Sequence, residues 1–160
     1  MANTKHYFDA TARGWSDSVD SQSTDKKHDL GTLRHMDGPD GSVTFVYVYN
    51  DSGSDLVFGT GCTFKAGAVD FHVTAPAAQV THPSLVGVDQ FELKNGYYGW
   101  VMQSGVGYAK AGGGGIAANA SLKCVATGVF GAGTMGTDDL LARAGAAIAA
   151  GSTGLVRIFP

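Results

Sequence analysis

Glutamate is almost missing from this 160-residue chain: Glu92 stands alone, and Asp, Glu, Lys and Arg together make up only 16 % of it. Paired carboxylates for acid–base chemistry would have to come from aspartates set in Ser- and Gly-rich stretches, where Asp is most simply a turn former. Positive charge is also thin. Eleven Lys and Arg stand against 14 acids, for a formal net charge of −3. With no basic field and no Lys/Arg run beside a groove-reading motif, nucleic acid is not expected as a partner. No apolar run approaches the ~18 to 20 residues that cross a bilayer. The polar start MANTKHYFDATARGW lacks the apolar core of a signal peptide, so no membrane association and synthesis in a cytoplasm are expected. Only two cysteines occur, Cys62 and Cys124, without CxxC spacing or His partners at zinc intervals, and two buried free thiols follow. HExxH, GxSxG and GxxxxGK[ST] are all missing, so no catalytic residue, cofactor or metal site is expected.

Glycine, by contrast, is plentiful. The 24 glycines, against the ~7 % of an ordinary chain, imply many turns and close backbone approaches. The densest apolar and aromatic stretch, Val86 to Tyr108 (VGVDQFELKNGYYGWVMQSGVGY), reads as strand, tight turn and strand. Asn95-Gly96 suits a two-residue turn with positive φ at both centres. Val88, Phe91 and Leu93 weight the first arm, and Tyr97, Tyr98, Trp100, Val101 and Met102 the second. Gly96, Gly99, Gly105 and Gly107 punctuate it, which predicts a bent and strongly twisted sheet. Upstream, Val43, Phe45, Tyr47 and Tyr49 alternate with Thr44, Val46, Val48 and Asn50 behind the turn signal Asp37–Gly41, predicting a second hairpin. Short strands are expected at 56–60, 62–65, 69–74, within 116–130 and at 155–159. His72 lies inside one alternation with no acid or His at i+2, and reads as a satisfied half-buried side chain. Thr137-Asp138-Asp139-Leu140 resembles a helix start that 142–150 could continue, although Gly145 weakens it.

Gly131-Ala-Gly-Thr-Met-Gly136 matches GxGxxG and resembles the phosphate turn of a dinucleotide-binding fold. Its context fails: no second strand ending in an acid follows, and Asp138 and Asp139 would crowd a pyrophosphate with negative charge. The first third differs from the rest. Residues 16–29, SDSVDSQSTDKKHD, hold one apolar residue, Val19, too little to offset the entropy of ordering them, and read as a loop or surface-hugging extension. His6, Tyr7, Phe8 and Trp15 are large rings in this polar arm. They either cap the domain's own core or anchor on a partner. The expected organisation is an N-terminal arm over 1–29 and a β-rich domain over 30–160. The expected fold is all-β, a twisted antiparallel β-sandwich or small β-barrel with an extended arm and at most one short C-terminal helix.

Five pieces share an order and spacing: KKHDLGTLRHMDGPDG, FVYVYND, VGVDQF, GYYGWVMQSGVG and AAIAAGSTGLVRIF, spanning about 26–160. In that order they resemble a family of tailed-bacteriophage virion proteins that decorate or cement the head. The arm from His6 to Trp15 and the stretch Gly131 to Ala144 depart from the pattern. The resemblance implies a β-rich, non-enzymatic protein of the capsid surface. It would bind the outer lattice of the major capsid protein as a homo-oligomer, here expected to be a trimer to match threefold lattice positions. His6, Tyr7, Phe8 and Trp15 are then the candidate capsid-interface residues. A head- or tail-attached module recognising a host-surface glycan through exposed Trp or Tyr is the alternative, and a small NAD-dependent enzyme built on the glycine turn is a third.

Overall fold

The structure is a computed structural model that describes residues 17–68, 70–81 and 84–159. The chain is all-β. Its strands are β1 (Leu33–Gly38), β2 (Gly41–Asn50), β3 (Gly61–Phe64), β4 (His72–Thr74), β5 (Leu85–Val88), β6 (Tyr98–Lys110), β7 (Ser121–Cys124), β8 (Phe130–Ala132), β9 (Ala142–Ala144) and β10 (Thr153–Ile158). Their order is β1-β2-β4-β3-β5-β6-β10-β9-β7-β8, and a further pairing of β2 with β6 closes β2, β4, β3, β5 and β6 into a five-stranded barrel. β1 pairs with β2 on the barrel, and β10, β9, β7 and β8 extend from β6 as a second sheet. Among the described residues the named strands pair antiparallel except β2 with β4, which run parallel.

β2 shows why the barrel has two cores. Its alternation sends Val46 and Val48 inward to meet Leu56, Cys62, Val73, Val86, Leu93 and Val101, the small cluster that fills the barrel. Val43, Phe45 and Tyr47 point to the other face, where Trp100, Met102, Phe130, Leu122, Val156 and Ile158 form the larger core between barrel and second sheet. A strand covered on both faces reads as a near-continuous apolar run, and Phe45 to Val48 are all buried.

β6 belongs to both layers. Residues 98–104 pair with β2 and residues 105–110 pair with β10. At the handover the ladder bulges, because Thr44 faces Ser104 while Phe45 faces Met102, leaving Gln103 unmatched. Gly105 follows at φ +114°, and a Cβ there would lie 2.7 Å from Val43 and 2.9 Å from the Ser42 carbonyl. Only glycine meets both demands, and the bend expected from the glycine pattern sits at this residue.

The central hairpin forms, but differently from the expectation. β5 ends at Val88, and Phe91 and Leu93, expected on the first arm, lie in a nine-residue connection. Lys94 to Tyr97 do close a turn, the Tyr97 N–H donating to the Lys94 carbonyl at 3.2 Å. Only Gly96 is left-handed there (φ +76°), so it is not the turn with positive φ at both centres. The connection is set by buried polar side chains instead. Asp89 accepts N–H bonds from Phe91 (2.9 Å), Glu92 (3.0 Å) and Leu93 (2.7 Å). Gln90 donates to the Tyr108 carbonyl and accepts from its N–H, both at 2.9 Å, replacing a strand partner for β6.

Two further expectations are corrected. Residues 56–60 form turns rather than a strand. No α-helix forms among the described residues, and 142–144 become β9, with Ala142 and Ala144 buried and Arg143 exposed. The reason is local. The Asp138 carboxylate accepts the Thr134 N–H (2.8 Å), the Lys123 ammonium (3.1 Å) and the Gln79 amide (3.1 Å). It therefore closes a turn backward rather than capping a helix forward. Without a helix after it, the glycine motif 131–136 has no helix N-terminus to offer a phosphate.

Candidate functional site

Where the described chain begins, residues 17–29 lie against the barrel. Val19 is buried at 1 % exposure, and Ser23 exchanges backbone hydrogen bonds with Tyr98, the first residue of β6 (3.0 and 2.8 Å). Gln22 adds bonds to the Glu92 carbonyl and the Lys94 N–H. Asp17 is the hub: its carboxylate takes the Trp100 indole N–H at 3.2 Å and lies 2.9 Å from His28 Nε2. His28, Tyr47 and Trp100 pack ring to ring with centroids 5.0 to 5.2 Å apart. The Arg34 guanidinium lies 5.7 Å from the Trp100 ring and donates to the Asp17 carbonyl. Burial pulls Arg34 below its ordinary pKa, opposed by the Asp17 charge. This cluster fastens the lead-in to the barrel; its rings and charges face one another rather than solvent. Trp100 is buried at 2 % exposure, so it presents no glycan-stacking surface. The four expected interface residues, His6, Tyr7, Phe8 and Trp15, lie outside the described residues.

Other reactive side chains are similarly enclosed. Burial pushes the Asp89 carboxyl up to about 6 against the pull of its three backbone bonds. Burial also pushes the Cys62 thiol up, and that of Cys124 to about 12. Both cysteines are free and buried, as the sequence led one to expect. His72 is half-buried, its ring tilted at 59° to that of Tyr49 with centroids 4.8 Å apart, and lies 3.3 Å from the Asp51 carboxylate. Lys65 and His72 together hold Asp51 below the ordinary carboxylate range.

One face is different. On the outside of the second sheet, register places Val106 opposite Arg157, Arg157 opposite Arg143, and Arg143 opposite Ser121. That is one row across β6, β10, β9 and β7 with no acid in it. Leu155 and Phe159 flank the row at 40 % and 38 % exposure. With Asp40 and Asn119 at the rim, these residues line a hollow of about 530 Å³. On the inner side of the same strands Ala142, Ala144, Val156 and Ile158 are core. The alternation that buries them therefore necessarily turns Arg143, Leu155 and Arg157 outward. No single segment announces this site, since 143 and 157 meet only through the pairing of β9 with β10. No family model matches the chain, and no curated protein matches it.

Proposed function

We propose that this chain is a non-enzymatic virion structural protein that decorates or cements a phage capsid as a homo-oligomer, with the major capsid protein as its partner. The observation that supports this reading best is the open face of the second sheet, where Leu155, Phe159, Arg143 and Arg157 stand exposed on a rigid two-core scaffold. Exposed apolar side chains beside arginines that have no partner among the described residues suit a protein–protein contact, where aromatic residues and Arg are enriched. The enclosed Asp89, Cys62 and Cys124 suit structural roles. Order and spacing of the five sequence pieces point the same way. His6, Tyr7, Phe8 and Trp15 are proposed as a second contact, because aromatic anchors dominate binding and a repeated lattice multiplies modest affinities.

Re-addition of purified protein to capsids lacking it, imaged by electron microscopy, tests the reading. Regular surface density at threefold or quasi-threefold positions is expected, with a trimer by sedimentation. A chain that leaves every capsid bare, or that is monomeric at micromolar concentration, overturns the corresponding part. Deleting 1–16 is the matching test for the arm. The cut must precede Asp17, because Asp17 and Val19 already belong to the barrel's packing. Weak re-addition with an unchanged melting temperature supports the anchor role. Loss of folding shows instead that the rings cap the domain's own core.

A further inference from the structure

We infer that Arg143 and Arg157 form a carboxylate-recognition site for a protein partner that presents acidic residues beside an apolar side chain. This deepens the docking reading above and rests on it.

The two arginines face each other directly across β9 and β10. Like charges placed opposite one another in a sheet destabilise it, and the cost is ordinarily relieved by an acid in the same row. Here the flanking positions are Val106 and Ser121. Neither guanidinium has a hydrogen-bond or ion-pair partner among the described residues. Lys123, also on this sheet, is already held by Asp138 at 3.1 Å, and Asp40, the acid of the hollow, stands at its rim outside the row. Two planar forks on adjacent strands can grip one carboxylate from both sides or take two carboxylates in parallel, a geometry that lysine would not supply.

The apolar flank narrows the ligand. Leu155 and Phe159, both exposed, would lie idle against a bare polyanion but match an acidic segment that carries an aromatic or aliphatic side chain. The chain's net charge of −3 opposes every polyanion at a distance, so binding here rests on the local arginine pair and its apolar flank. A second copy docked by twofold symmetry would bring one arginine pair against the other, which disfavours self-association through this face.

The full-length protein is tested against an immobilised random glutamate–tyrosine copolymer, with poly-glutamate, polyphosphate and neutral dextran alongside. Wild type should bind the copolymer more tightly than poly-glutamate, and more weakly as salt rises. R143Q/R157Q should lose about tenfold or more, the scale of charge-assisted hydrogen bonds, while its melting temperature stays level or rises as the repulsion is removed. R143K/R157K, which keeps the charge without the forks, should fall between the two and serves if the first variant folds poorly. L155S should narrow the gap between copolymer and poly-glutamate. Unchanged copolymer binding by R143Q/R157Q overturns the site. So does polyphosphate bound as tightly as the copolymer, which would make the face a phosphate or nucleic-acid site. Arginine-dependent copolymer binding with bare capsids leaves the site standing and removes the virion reading. Normal decoration of capsids by R143Q/R157Q removes the site from the capsid contact and leaves the virion reading intact.

Discussion

Replacing Asp89 by asparagine should change the pH dependence of stability more than the stability itself at neutral pH. The carboxylate is completely buried and holds Phe91, Glu92 and Leu93 by their N–H groups, keeping Glu92 left-handed at φ +67°. Its acidity is displaced from 3.8 to about 6, chiefly by burial. At about 1.4 kcal/mol per pH unit, that interval amounts to about 3 kcal/mol of penalty on the charged form at pH 7. Asparagine removes the penalty. It keeps an oxygen for the first two N–H groups but turns an NH₂ toward Leu93, and one orphaned buried donor costs about 1 to 3 kcal/mol. The two effects nearly cancel at pH 7. In acid they separate. The folded protein holds the Asp89 proton more tightly than the unfolded chain does, so between about pH 6 and 4 this group adds stability as pH falls. Urea melts of both proteins at pH 7, 5.5 and 4.5 should therefore show wild type gaining on D89N as pH falls, by about 2 kcal/mol at pH 4.5. Subtracting the two curves cancels the acid losses that Asp51 and Asp138 impose on both, since their carboxyls are held below the ordinary range. Parallel curves would refute the assignment of a buried, proton-binding Asp89. Alanine at 89 should be worse at every pH, because all three N–H groups lose their acceptor.

Three other outcomes follow from the packing. Trp100→Ala should cost about 3 to 5 kcal/mol in denaturant melts, and Trp100→Phe less, since it keeps most of the ring and loses the bond to Asp17; equal stability of all three would mean that the ring is not core. Gly105→Ala should cost more than about 1 kcal/mol, from φ +114° and the clash with the Ser42 carbonyl; a neutral result would place the bend elsewhere. Cys62 and Cys124 should resist a thiol reagent at pH 8 until the protein is unfolded, and rapid labelling of the native state would contradict their burial.

What the sequence revealed depended on which side chains carried a signal. β2 was legible because Val43 to Asn50 alternate in large residues, and the β1–β2 turn because Asp37–Gly41 is turn chemistry. β9 was not, since Ala142 and Ala144 suit a helix as well as a strand, and only the partners β7 and β10 decide between them. The connection after β5 hid in an apolar run: nothing local distinguishes Phe91 and Leu93 from strand residues until Asp89 is seen to gather their N–H groups. In 16–29 the composition pointed to a loop or surface-hugging extension, and 17–29 form the latter, but the tie made by Asp17, His28 and Trp100 had no periodic trace. The arginine row was invisible for a topological reason. Arg143 and Arg157 are remote in sequence and become neighbours only once the order β10-β9-β7 is known.

The 13 residues of β6 act as a single beam through both layers, and that bears on how an event on one side is felt on the other. The residue pairing with Arg157, Val106, is four peptides from Met102, which faces Phe45 and Val88 inside the barrel wall. Loading the outer face therefore pulls on the strand that closes the barrel. In amide exchange, a ligand on Arg157 should slow the protons of residues 98–104 as well as those beside it, and the two layers should open as one unit, because neither can release β6 without unseating the other. A protein pinned to a lattice by that face would then resist unfolding throughout.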